Sequence, residues 1–226
     1  MWIRWPLLTV ASLCFLAGCA SAVESSPPHA AAERDEYDVL IATALEGVQA
    51  VRQRGEAGKP RDLERETHTL QLFLRAAELR PDRVEAPYGA AVMLVAACQA
   101  NRLACGELCP PAIALLDRAD ALQVGYRYSS WNRGICLEST GQFEDALVAA
   151  ERSLLEYPDD PDMWALRAKV RLSLGYLHGA CEDLAQMLTL QGTTDGLERA
   201  LAPFGCHLEA GRPRYVRHDE PAAVQL

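Results

Sequence analysis

Lysine is almost missing from this 226-residue chain, occurring only at Lys59 and Lys169, and Asp and Glu outnumber Lys and Arg by 31 to 22, giving a formal net charge of −9. Nucleic acid is held by clustered cations on one face or stripe, so nucleic-acid binding is excluded as a function class. The longest apolar run, Trp5–Leu16, falls well short of the roughly 20 residues that a membrane-spanning helix needs. Catalytic signatures are also missing. There is no GxSxG elbow, no HExxH, no GxxxxGK[ST] loop and no GxGxxG after a strand, so the common hydrolase, metalloprotease and nucleotide-binding chemistries lack their residues. No enzyme activity and no cofactor is expected.

What is there begins at the N-terminus. Ahead of Cys19 stand one basic residue, Arg4, the apolar run, and the small residues Ala17 and Gly18, the layout of a secretory signal. The tetrapeptide Leu16-Ala17-Gly18-Cys19 resembles the lipobox of bacterial lipoproteins. That resemblance implies cleavage before Cys19 and acylation of its sulfur and its new amino group, which anchors a protein on a bilayer without spanning it. Ala20, rather than an aspartate, follows the cysteine, and the resemblance then implies an outer-membrane location facing the periplasm. Residues 1–18 read as the signal and residues 19–34, rich in Ala, Ser and Pro, as the lipidated cysteine with a flexible tether. The folded domain is expected over 35–210, and the mixed charges and prolines of 211–226 predict a disordered tail.

Within the domain a repeat is visible. Ala112, Ala146 and Ala180 are 34 residues apart, as are Leu116, Ala150 and Leu184, and Ala119, Ser153 and Met187. Within each unit the offsets of four and three put Ala112, Leu116 and Ala119, and likewise their counterparts, on one helix face. Gly134 recurs as Ala168 and Gly141 as Gly175 at the same spacing, so each unit is two helices joined by a glycine turn. These residues, with Leu137, Phe143 and the closing Pro158, resemble the tetratricopeptide repeat (TPR). The unit at 161–194 has Gly192 where a closing proline would stand. Thr69, Phe73 and Ala76 precede Ala112, Leu116 and Ala119 by 43, which places a nine-residue loop insertion in CQANRLACGELCPP. The expected fold is all-α, a helical-hairpin solenoid of about four repeats. A C-terminal capping helix is expected to start at Thr194 or Asp195, carry Leu197, Leu201 and Phe204, and stop at Gly205.

Of the eight cysteines, Cys14 leaves with the signal and Cys19 takes lipid, leaving Cys98, Cys105, Cys109, Cys136, Cys181 and Cys206. An even number in an exported chain points to as many as three disulfides. Cys181 opens its second helix and the capping helix should run back beside it, so Cys181–Cys206 is the first expected pair. Cys98–Cys109 across the loop base, with Cys105–Cys136 between repeats, is the preferred pairing of the other four. The competing function is a metal-binding or redox-active cysteine protein, with His178, Cys181, Cys206 and His207 as its zinc ligands. Cys105 and Cys109 are spaced CxxxC, not the CxxC or CxxCH of redox and haem motifs. No metal site is expected at Asp159, Asp160 and Asp162 either, because Asp is favoured as a helix cap at that place. His68 and His218 have no companions.

The TPR resemblance implies a curved array whose concave groove holds another envelope protein or a peptide segment, as in assembly factors and adaptors of outer-membrane machines. Trp164 stands where such repeats pack a large residue between helices. Trp131 is one step out of that register, and one step turns a helical side chain by about 100°. Tyr88, Tyr128, Trp131 and Asn132 are therefore the expected groove residues, unless Trp131 repacks inward to fill the space left at Ser130. The partners implied are that protein segment and, through the lipid anchor, the membrane.

Overall fold

A computed structural model describes residues 35–192, 196–209 and 211–215. The signal, Cys19, the tether, the helix start at Thr194 or Asp195, and His218 lie outside the described residues. Eight helices run as four hairpins: α1 (Glu36–Glu56) with α2 (Leu63–Leu79), α3 (Glu85–Ala100) with α4 (Cys105–Leu122), α5 (Ser129–Ser139) with α6 (Phe143–Glu156), and α7 (Pro161–Ser173) with α8 (Leu177–Leu190). After them come a short helix α9 (Leu197–Leu201), a 3-10 turn over Ala202–Phe204, and an antiparallel pair of strands, β1 (Cys206–Glu209) and β2 (Arg212–Tyr215). Among the described residues no helix is long and apolar enough to cross a membrane.

The helix starts follow the residues. Asp35, Asp62 and Asp160 are the N-caps of α1, α2 and α7, each side chain accepting from a backbone amide of the first turn, which supplies a partner to a donor that the helix cannot pair. Asp160 thus works as the cap expected of the Asp159–Asp162 stretch. The hairpin turn is repeated as well. Gly141 and Gly175 have positive φ of 79° and 78°, the next amides, Gln142 and Tyr176, donate back to Leu137 and Arg171 carbonyls at 2.9 and 2.8 Å, and so both turns close the first helix in the same way.

Each helix packs on its hairpin partner, and each second helix packs on the first helix of the next hairpin. The first helices α1, α3, α5 and α7 also touch one another in sequence, so the array curves with this row on its inner side. The repeated columns form the core: Ala112, Ala146, Ala180, Leu116, Ala150, Leu184, Ala119 and Ser153 are all at most 1% exposed. Small residues let the helices approach. A Cβ added at Gly134 would meet Leu166 Cδ2 at 2.8 Å and Ala149 Cβ at 3.5 Å, which ties α5 closely to α6 and α7.

Four sequence expectations change here. The insertion in the second hairpin is mostly helix: α3 and α4 reach 16 and 18 residues, against 11 to 14 in α5 to α8, with only a 3-10 turn at Arg102–Ala104 between them. Pro110 and Pro111 lie inside α4. They forgo bonds to the Gly106 and Glu107 carbonyls, and both of those residues are exposed, where water can replace the missing donor. The capping helix is reduced to five residues, because Pro203 and Gly205, with φ of 71°, turn the chain into the strands. Part of the expected tail is therefore ordered: residues 211–215 supply the hairpin turn and β2, which packs on α8. Finally, Met163 is fully buried while Trp164 is only half-buried. Met163, Leu166 and Val170 define the buried stripe of α7, and Trp164 sits beside it.

Candidate functional site

The expected groove residues gather where the second and third hairpins meet. Tyr88 is in the first turn of α3, Trp131 in the first turn of α5, and Tyr128 caps α5 from the connection that follows α4. Tyr88 meets Tyr126 edge-on at 5.2 Å, Tyr128 stacks on Tyr157 at 4.3 Å, and Tyr128 meets Trp131 edge-on at 6.4 Å. Such geometries suit the ring quadrupole. Burial pushes the Tyr88 hydroxyl well above its ordinary pKa, and it raises Tyr157 too, with help from the neighbouring Tyr128. Arg127 lies over the Tyr126 ring at 5.3 Å and has φ of 49°, the one non-glycine residue with positive φ among those described, a conformation that L side chains seldom adopt.

Tyr126 and Tyr157 are the ring partners that the sequence reading missed. Their signal was in GYRY and EYPDDP, where each tyrosine flanks a helix end rather than lying on a periodic face. Asn132 does not belong to an open groove. It is 3% exposed, its Nδ2 donates to the Tyr128 carbonyl at 2.9 Å, and Ser129 and Ser130 beside it are equally buried. The N-terminal end of α5 is sunk between its neighbours, which is why three polar residues there are covered. Trp131 itself is half-buried, packing against the core shared by α3 to α7 while meeting Tyr128 at its other side.

Farther along the first-helix row, charges take over. Glu138 of α5, 7% exposed, accepts from Lys169 of α7 at 2.6 Å and from Arg102 of the insertion at 3.2 Å. Burial and the charge of Asp160 push the Asp162 carboxyl, at the start of α7, up to about 6. On another side of α5, a cleft of about 340 Å³ is lined by Ser130, Arg133, Asp145, Val148 and Arg152 among others. Arg133 there is already paired with Asp117 at 2.5 Å and Asp120 at 3.3 Å, so the cleft offers no uncommitted guanidinium at its floor.

Solved structures share this arrangement. MamA 41-end from Desulfovibrio magneticus RS-1 superposes with a TM-score of 0.59 at 14% identity, over 77% of this chain and 86% of that one. The MamA RS-1 ArsTM double mutant gives 0.58 at 16% identity, over 77% and 85%. The fold is that of tetratricopeptide-repeat proteins. A thermophilic TPR protein of Thermus thermophilus, TTC0263, is 17% identical over 74% of this chain and 98% of that one, with a TM-score of 0.41. No protein-family model and no curated protein matches the sequence.

In this TPR array the cysteines pair differently from one expectation. Cys98 is joined to Cys105, with Cα atoms 4.7 Å apart, not to Cys109, and Cys105 is therefore not joined to Cys136. The reason is the early start of α4. Cys105 and Cys109 occupy consecutive turns of one helix face, both facing Cys98 at the end of α3, and the Cys109 Sγ still lies 3.6 Å from the Cys98 Sγ. Cys181 is joined to Cys206, with Cα atoms 5.6 Å apart. Their bond removes two ligands from the zinc set, and His178 Nδ1 accepts from the Tyr215 amide at 3.2 Å, fastening β2 to α8. Cys109 and Cys136 are buried and carry no disulfide bond here. Burial raises the pKa of both, Cys136 the more strongly, so neither presents a reactive thiolate in the folded chain.

Proposed function

We propose that this protein is a non-enzymatic adaptor of the bacterial cell envelope, anchored by lipid on Cys19 to the periplasmic face of the outer membrane. Its partner is a segment of another envelope protein, held against the first-helix row at Tyr88, Tyr128 and Trp131. The observation that carries this reading is the ring cluster. Five aromatic side chains are ordered by one another at the junction of two hairpins, so little side-chain entropy remains to be lost on binding, and amphipathic aromatics of this kind are favoured anchors. Arg127 beside the rings, with the Glu138–Lys169 pair farther along the first-helix row, supplies a polar surround.

A photoreactive phenylalanine placed at Tyr128 in the full chain, irradiated in native envelopes, is expected to trap one predominant envelope protein. Trp131→Ala in the same chain is expected to reduce that product at least tenfold. Cys19→Ser is expected to release the mature chain from the membrane fraction or to leave an unprocessed precursor. Unchanged membrane association with normal processing would refute the anchor, and equal trapping with and without Trp131 would refute the binding face.

A further inference from the structure

We propose that Cys109 and Cys136 are joined in a third disulfide, which ties the second hairpin to the third. Both side chains are fully buried, in the core cluster that also holds Cys98 and Cys105. Once Cys98 is bonded to Cys105, Cys109 of α4 and Cys136 of α5 remain in one core cluster, on two helices packed against each other, and each is near enough to perturb the other's thiol. They are the two sulfurs in this cluster without a covalent partner. The three bonds would then divide the work. Cys98–Cys105 closes α3 onto α4, Cys181–Cys206 closes the C-terminal strands onto α8, and Cys109–Cys136 is the one that crosses between repeats, from the N-terminal part of α4 to the C-terminal part of α5, toward the other end of these helices from the ring cluster.

The chemistry is a two-electron oxidation by an external disulfide. One thiolate attacks a sulfur of the oxidant and releases its first thiol, forming a mixed disulfide. The other cysteine's thiolate then displaces the second thiol as the Cys109–Cys136 bond forms, so two protons leave the protein and the oxidant is reduced to two thiols. Because neither sulfur is exposed in the folded chain, the step belongs to folding, before the core around α5 closes. A mixed disulfide cannot be reached from the finished fold.

A rival use of the same atoms is a metal centre. The Cys98, Cys105 and Cys109 ligand atoms lie within 4.8 Å of one another; Cys136 is outside that group and would have to move in as the fourth of the four thiolates that tetrahedral zinc accepts. That centre needs all four sulfurs reduced, whereas two of them are bonded to each other here.

The experiment uses the full chain with Cys14→Ser and Cys19→Ser, denatured, reduced, and refolded with glutathione, glutathione disulfide and zinc ions. This is independent of where the protein resides, so its result is separate from the envelope reading. Cleavage after Arg102, Glu107 and Arg118 separates Cys98, Cys105, Cys109 and Cys136 onto different peptides. Expected are no maleimide-reactive thiols in denaturant and a peptide pair linking Cys109 to Cys136. In Cys109→Ser, one thiol is expected, at Cys136. Two free thiols at Cys109 and Cys136 would overturn the proposal, as would linkage of Cys98 to Cys109 with Cys105 to Cys136. Four thiols with one bound zinc would overturn it in favour of the metal centre.

Discussion

Met163 and Trp164 are adjacent in α7, but their side chains leave the helix about 100° apart and meet different surroundings. Met163 has no exposed surface. Trp164 covers the preceding turn, its Nε1 donating to the Pro158 carbonyl at 2.7 Å with Arg167 over its ring at 5.0 Å. Met163→Ala is therefore expected to cost about 2–5 kcal/mol, the range for emptying a packed site. Trp164→Ala should cost about 1–2 kcal/mol, the scale of one hydrogen bond and one cation–π contact. Urea midpoints would rank them, and a larger loss at Trp164 would mean that the stripe of α7 is centred wrongly. Asp162 gives a residue-scale test of charge. Its carboxyl is pushed up to about 6 by burial and by Asp160, so the folded chain keeps a proton that the unfolded chain gives up near pH 4. Stability contributed below about pH 4 is then lost as pH rises through about 6, on the order of 1 kcal/mol after allowance for solvent screening of a half-buried group. Asp162→Asn should abolish that slope, measured as Tm against pH from 4 to 7.

At the level of elements, what the sequence made legible was set by periodicity. The 34-residue columns at Ala112, Ala146 and Ala180 are shared by the second, third and fourth hairpins through similar small-residue contacts, so their helix pairing and the Gly141 and Gly175 turns could be seen without coordinates. Features that occur once had no column to reveal them. The register offset placed a loop in CQANRLACGELCPP where α4 starts early and runs through Pro110 and Pro111, because the exposure that excuses their missing bonds is a tertiary fact. Cys105 and Cys109 present the same face one turn apart, so spacing alone could not say which would meet Cys98. GRPRY reads as tail until β2 finds α8, and the two-strand register from Cys206–Tyr215 to Glu209–Arg212 depends on that docking. The site was legible to the same degree: Tyr88, Tyr128 and Trp131 followed from register, whereas Tyr126, Tyr157 and the burial of Asn132 followed from how deeply α5 sinks. The C-terminal closure can be tested as an element. Cys181 and Cys206 enclose a separation of 25 residues, for which chain-entropy arguments give about 3 kcal/mol. Replacing both with serine is expected to lower stability by about that amount in oxidising urea titrations, with the parent and variant converging once both are reduced.

Over the whole molecule, stability in a repeat array is close to a sum of units and nearest-neighbour interfaces, so the ends are weakest unless something holds them. The C-terminal end has a covalent bond, the His178–Tyr215 hydrogen bond and the strand pair. The N-terminal hairpin, α1 with α2, contains no cysteine. It is held to α3 by contacts such as the buried Tyr37, whose hydroxyl donates to Glu85 at 3.2 Å, and the ion pairs from Arg75 to Glu36 and Arg80 to Asp35 lie within the hairpin itself. Exposed pairs of that kind contribute little. The array should therefore fray in one direction. In native-state hydrogen–deuterium exchange, amides of α1 and α2 are expected to exchange at least tenfold faster than those of α5 to α8, with α3 and α4 between them. Uniform protection along the chain would contradict this. A polarity of this kind makes the first hairpin the segment that opens and recloses while the cross-braced remainder stays folded, so a protease acting on the native protein should clip within residues 35–80 and leave a resistant core beginning near α3.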